Sequence, residues 1–173
     1  MKAIPTEIAG LILVEHPVFR DDRGFFLETF HEEKLRKLGV DCLFVQDNFS
    51  NSKKNVLRGL HFQKPPFEQD KFVRVTRGRV WDVAVDLRVK SPTYLKYFGV
   101  ELSDSNGLSL FIPKGFAHGF CVLSDEADFY YKCSEVYHPE ADAGFLWSDP
   151  KLKIEWPIQN PILSKKDAQL PCL

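Results

Sequence analysis

The sequence predicts an antiparallel all-β domain, a sandwich or barrel with one short helix. Three observations carry this. Apolar and polar residues alternate with period two on both sides of a glycine turn between Val73 and Arg88. Further short apolar runs follow, each closed by a cluster of Gly, Pro, Asn, Asp or Ser. Strands and helices do not alternate along the chain, as a parallel doubly wound sheet would require.

Taken in order, the first clear element is a helix over Thr29 to Leu38. Its acids come early and its bases late, and Phe30, Leu35 and Leu38 fall near helical spacing, with Gly39 as terminator. Val56 to Gln63 has strand character. Strict alternation puts Arg58, Leu60 and Phe62 on one face, and Leu57, Gly59, His61 and Gln63 on the other, with Gly59 leaving room for a ligand beside His61. Val73 and Val75 alternate with Arg74 and Thr76, Arg77-Gly78-Arg79 turns, and Trp81, Val83, Val85 and Leu87 alternate with Asp82, Ala84, Asp86 and Arg88. That pattern predicts a hairpin. Further strands are predicted over Tyr94 to Leu102, Leu108 to Ile112, Phe116 to Leu123 and Asp128 to Glu135. From Trp147 to Leu173, four prolines and two tryptophans suggest an extended arm packed on the domain rather than a disordered tail.

The 173 residues suit one domain, which can bury a sizeable core. A formal charge of −1, with no basic run longer than a pair, argues against nucleic-acid binding. No signal peptide is evident in residues 1–15, and no apolar run approaches a membrane span. The four cysteines show no metal-binding spacing, and reduced thiols in a cytoplasmic protein are the simpler reading. There is no GxGxxG, P-loop or internal repeat.

Two histidine segments carry the candidate chemistry. The first is Leu57-Arg58-Gly59-Leu60-His61-Phe62-Gln63; the second is Ile112-Pro113-Lys114-Gly115-Phe116-Ala117-His118-Gly119-Phe120. On spacing alone a structural role for His61 outweighs a catalytic one, and His118 is evenly balanced. A metal-binding cupin would place two histidines one residue apart on the first strand. Position 63 is Gln63, and Glu68 and His118 only partly make up the set. Arg58 and Lys71 flank the His61 segment and suit a diphosphate, whereas Arg74, Arg77 and Arg79 read as a solvated strand face. Tyr130 and Tyr131 must point to opposite faces, so one of them can serve as a proton donor.

These segments, with Phe19-Arg20-Asp21-Asp22-Arg23-Gly24-Phe25-Phe26-Leu27-Glu28, Gln46-Asp47-Asn48-Phe49-Ser50, Asp82 to Arg88, Tyr131-Lys132-Cys133, Trp147-Ser148-Asp149-Pro150 and Leu163-Ser164-Lys165-Lys166-Asp167, resemble the dTDP-4-dehydrorhamnose 3,5-epimerase family over nearly the whole chain. The resemblance implies a cupin-type double-stranded β-helix, or jelly roll, as a single domain over residues 1–173. It further implies a homodimer whose N-terminal strand is exchanged with the partner, and no metal or other cofactor. The substrate would be a nucleoside-diphosphate 4-keto sugar, inverted at C3 and C5 on the route to dTDP-L-rhamnose and polysaccharide. By resemblance His61 is the base, Asp167 orients it, Lys71 stabilises the enolate and Tyr131 returns the proton. Arg23, Glu28, Gln46, Asn48, Arg58, His118, Tyr137, Asp142 and Lys166 match substrate-binding positions, with Arg23 and Glu28 serving the neighbouring subunit. Asp142 departs from the family's glutamate, which puts that nucleotide contact in doubt. A C3- or C5-only epimerase, an epimerase of another nucleotide sugar such as a GDP-heptose, a metal-dependent cupin isomerase or oxygenase, and a non-catalytic sugar-binding module are the competing readings.

Overall fold

A computed structural model describes all 173 residues. The strands are β1 (Lys2–Pro5), β2 (Ile12–Glu15), β3 (Phe19–Asp21), β4 (Gly24–Phe26), β5 (Gln46–Lys53), β6 (Leu57–Gln63), β7 (Lys71–Arg77), β8 (Arg79–Asp86), β9 (Tyr97–Ser103), β10 (Leu108–Ile112), β11 (Phe116–Val122), β12 (Glu126–Cys133) and β13 (Asp142–Gly144). A six-residue helix, α1 (Glu32–Lys37), and a 3-10 turn, Asp167–Gln169, complete the set. One sheet has the order β1-β2-β10-β7-β12-β5 and the other β13-β6-β11-β8-β9, with β3 and β4 paired apart from both. This is the jelly roll expected, with successive strands passing back and forth between two packed sheets.

The core lies between the sheets. Val73, Val75, Leu110, Ile112 and Phe129 from the larger sheet meet Val80, Ala84, Leu102, Phe120 and Val122 from the smaller one. Phe129 is fully buried and stacks on Phe120 with ring centroids 4.1 Å apart. Burial of such a side chain contributes about 2–3 kcal/mol.

The predicted hairpin does not form. β7 pairs with β10 and β12, and β8 pairs with β9 and β11, so Gly78 (φ +77°) carries the chain from one sheet to the other. Alternation shows that each arm has an inner face; it does not say which strand lies beside it. A side chain at position 78 would meet the Glu126 carbonyl at 2.2 Å, so glycine is required at this crossing.

The faces of β8 are also redistributed. Val80 and Ala84 join the core between the sheets, while Val83 and Val85 pack with Leu152, and with Ile154, Trp156 and Leu173, on the opposite face. The smaller sheet is therefore covered on both sides, and Asp82 points inward among apolar neighbours rather than to solvent. The helix begins three residues later than predicted. Phe30 instead packs edge-on to Phe44, and Leu35 alone anchors the helix beside Val14, Val40, Phe72 and Phe111. Gly39, at φ +97°, ends it as expected. No helix is long and apolar enough to cross a membrane.

Candidate active site

Between the sheets opens a cavity of about 270 Å³ lined by Arg58, His61 and His118 on one wall and by Lys71, Phe129 and Tyr131 on the other. Ser50, Phe120, Ser164, Lys166 and Asp167 complete it.

The first wall depends on an irregularity in β6. His61 lies opposite His118 and Arg58 opposite Phe120, so three steps along β6 match two along β11. This bulge centres on Gly59, at φ +118°, and breaks the strict alternation expected. Arg58 and His61, predicted on opposite faces, both reach the cavity as a result. Nor does Gly59 leave room for a ligand. A Cβ there would sit 2.6 Å from the Gly119 Cα and 2.7 Å from the His118 carbonyl, so the missing side chain admits the neighbouring strand.

His61 Nε2 lies 2.6 Å from Asp167 Oδ1. The Asp167 backbone N–H donates to Ser164 Oγ at 3.0 Å, which fixes the turn holding the carboxylate. Burial works against the Asp167 carboxylate, but the His61 hydrogen bond and charge, Ser164 and Lys166 hold its pKa below the usual value. With Nε2 engaged, Nδ1 is the ring nitrogen left for a substrate.

The second wall carries Lys71 and Tyr131. Tyr131 points inward and lines the cavity, while Tyr130 points out and donates to Asp47 Oδ2 at 2.9 Å. Burial, reinforced by Cys133 against the pull of Arg58, pushes the Tyr131 pKa up to about 12. Burial lowers the pKa of Lys71, with Cys133, Asp142 and Asp82 acting the other way. Gln46 and Asn48 alternate with Ser50 along β5 and extend this wall; Gln46 Nε2 donates to Asn48 Oδ1 at 3.0 Å.

At the rim, Asp142 Oδ2 accepts from both the Lys166 ammonium and the exposed Tyr137 hydroxyl, the latter at 2.9 Å. The shorter side chain is thus held by protein partners. Arg23 and Glu28 are not brought to this cavity. Arg23 lies on the exposed β3–β4 turn, bound to Asp21, and Glu28 pairs with Lys34. Glu68 lines an adjoining cavity, and no three His, Cys, Asp or Glu side chains gather in a metal-holding arrangement. All four cysteines are free.

Sequence reasoning missed Asp82. It is fully buried and lies 2.9 Å, through Oδ2, from His118 Nε2. Its signal, an acid inside an apolar strand, was masked by the regular alternation around it.

The sequence profile of the dTDP-4-dehydrorhamnose 3,5-epimerase family matches residues 5–173. A dTDP-4-dehydrorhamnose 3,5-epimerase of Shigella flexneri is 53% identical over 168 residues, covering 96% of this chain and 93% of the relative. The crystal structure of the Bacillus anthracis enzyme of that name, with TDP and PPi bound, is 47% identical with a TM-score of 0.97 over 99% of both chains. A Legionella pneumophila epimerase in complex with dTDP-4-keto-L-rhamnose is 48% identical with a TM-score of 0.95, over 99% of this chain and 92% of that one. The fold, the two-walled cavity and these likenesses agree: the chain belongs to the dTDP-4-dehydrorhamnose 3,5-epimerase family of carbohydrate epimerases.

Proposed function

We propose that the protein inverts C3 and C5 of dTDP-4-dehydro-6-deoxyglucose, by proton abstraction and return beside the C4 ketone, on the route to dTDP-L-rhamnose. The observation that carries this reading is the placement of His61 and Tyr131 on opposite walls of one cavity. Inversion at carbon needs a base on one face and an acid on the other.

His61 Nδ1 takes the α-proton, and the C–H electron pair moves into the enolate while the C4 oxygen gains charge. Asp167 holds the ring and favours the imidazolium formed. The Lys71 ammonium stabilises the oxygen. Tyr131, kept protonated by its raised pKa, delivers a proton to the opposite face as the enolate collapses to the ketone. Solvent then restores both groups.

Arg58 and Lys166 supply donors for the diphosphate, His118 an accepting ring nitrogen for a sugar hydroxyl, Gln46 and Asn48 the adjoining wall, and Tyr137 with Asp142 the nucleotide end. We read the chain as a single-domain cytoplasmic homodimer in which Arg23 and Glu28 serve the partner's cavity.

The test is incubation with dTDP-4-keto-6-deoxyglucose in D₂O. Deuterium at both C3 and C5 is the expected result. Label at one carbon would make it a mono-epimerase, preference for a GDP sugar would change the substrate, and no label above a no-enzyme control would overturn the reading.

A further inference from the structure

The cavity contains a second histidine–carboxylate pair, and it is better buried than the first. His118 Nε2 and Asp82 Oδ2 are 2.9 Å apart, with side-chain exposures of 8% and 0%. The catalytic pair, His61 and Asp167, is exposed by 32% and 5%. His61 and His118 are direct neighbours across β6 and β11, while Asp82 lies on β8 two positions along from the residue opposite His118.

Four features point beyond packing. A carboxylate accepts and does not donate, so Asp82 commits His118 Nε2 to the N–H role. His118 Nδ1 has no protein partner and is not sealed from the cavity. The ring packs offset against Phe129, with centroids 5.9 Å apart and planes at 26°, which restricts its rotation about the Cβ–Cγ bond. Asp82 is also costly to keep. Its Oδ1 is buried with no hydrogen-bond partner, a penalty that an apolar side chain in the same place would avoid.

We propose that Asp82 is a positioning residue for His118, locking the ring so that Nδ1 alone meets the substrate beside the catalytic histidine. The inference rests on reading the cavity as the nucleotide-sugar site. It adds Asp82, on a strand that does not itself line the cavity, to the machinery of that site.

The test is a double-mutant cycle on kcat/KM for dTDP-4-keto-6-deoxyglucose. His118→Ala and Asp82→Ala are each expected to lower kcat/KM about ten-fold, the loss of one hydrogen bond to the substrate. The double variant should be no worse than His118→Ala alone. Asp82→Asn, which keeps an acceptor oxygen, should recover most of the loss. Nitrogen-15 NMR of the wild-type histidine rings gives a readout that needs neither turnover nor a variant. It should show a slowly exchanging Nε2–H on His118 and none on Nδ1. Losses that multiply in the double variant, wild-type kcat/KM in Asp82→Ala, or a His118 proton on Nδ1 would each overturn the inference. A wild-type protein that shows the His118 Nε2–H but turns over no dTDP sugar would instead locate the failure in the proposed substrate.

Discussion

Tyr131 and His61 divide the proton traffic of the proposed reaction, and they can be separated experimentally. Tyr131→Phe removes the hydroxyl and little volume. His61 can still abstract a proton and return deuterium from solvent to the same face. Wash-in of deuterium without inversion is therefore expected, with net epimerisation down about 10²–10⁴-fold, measured by NMR of the sugar in D₂O. Loss of exchange and inversion together would mean that Tyr131 acts earlier, in holding the enolate. Residue types alone marked the His61 segment, Lys71 as a pocket residue and one of the paired tyrosines as candidates, while leaving a structural role for His61 the stronger reading. Their roles, and that of Asp167 on a turn more than a hundred residues away, came from resemblance. No local pattern could have paired His61 with Asp167. Asp82 escaped even resemblance-based reasoning because the pattern around it assigned acids to solvent, whereas the arm over β8 turns that strand's other face into a second core.

Two local devices stabilise the strands. At the β6 bulge, Gly59→Ala would force a Cβ to 2.6 Å from backbone that cannot retreat, at a φ that alanine avoids. A loss of about 3 kcal/mol in denaturant unfolding is expected, with activity falling because Arg58 and His61 move together. A stability equal to wild type would show that the bulge is not needed. At the end of β8, Asp86 accepts five hydrogen bonds, three from Arg88 and one each from Ser91 and Thr93. Burial opposes its charge, but these bonds drive its pKa far below the carboxylate norm. A lowered folded-state pKa stabilises above the unfolded value, and the benefit fades as pH falls through the folded one. Asp86→Ala should therefore cost about 3 kcal/mol at pH 7. The gap to wild type should stay constant down to about pH 4 and narrow below it. Equilibrium unfolding at several pH values measures this; a gap that widens in acid would refute the assignment. The strands of both regions were legible as strands, since alternation reports an inner face. Their partners were not, because β7 and β8 carry hairpin signals, yet β7 pairs with β10 and β12, and β8 with β9 and β11.

On the scale of the whole molecule, one piece of this chain pairs with no other strand of the subunit. The β3–β4 ribbon pairs only with itself and exposes Phe19, Phe25 and Phe26 by 62%, 55% and 68%. An isolated two-stranded ribbon is marginal in water, and three large aromatic rings make it a surface to be covered. Arg23 stands at its tip with a side chain 89% exposed, away from the cavity of its own chain. In the proposed homodimer this ribbon carries Arg23 to the partner's substrate, so each active site draws on two chains. Trans-complementation follows. Arg23→Ala and His61→Asn homodimers should each be weakly active or inactive. In a hybrid, one site combines both defects, while the other has an intact His61 and receives an intact Arg23. Co-refolding equal amounts gives hybrids as half of all dimers, so activity should recover to about a quarter of wild type if subunits pair at random. If Arg23 serves its own chain, every site in the mixture carries one defect, and activity stays at the average of the two parents.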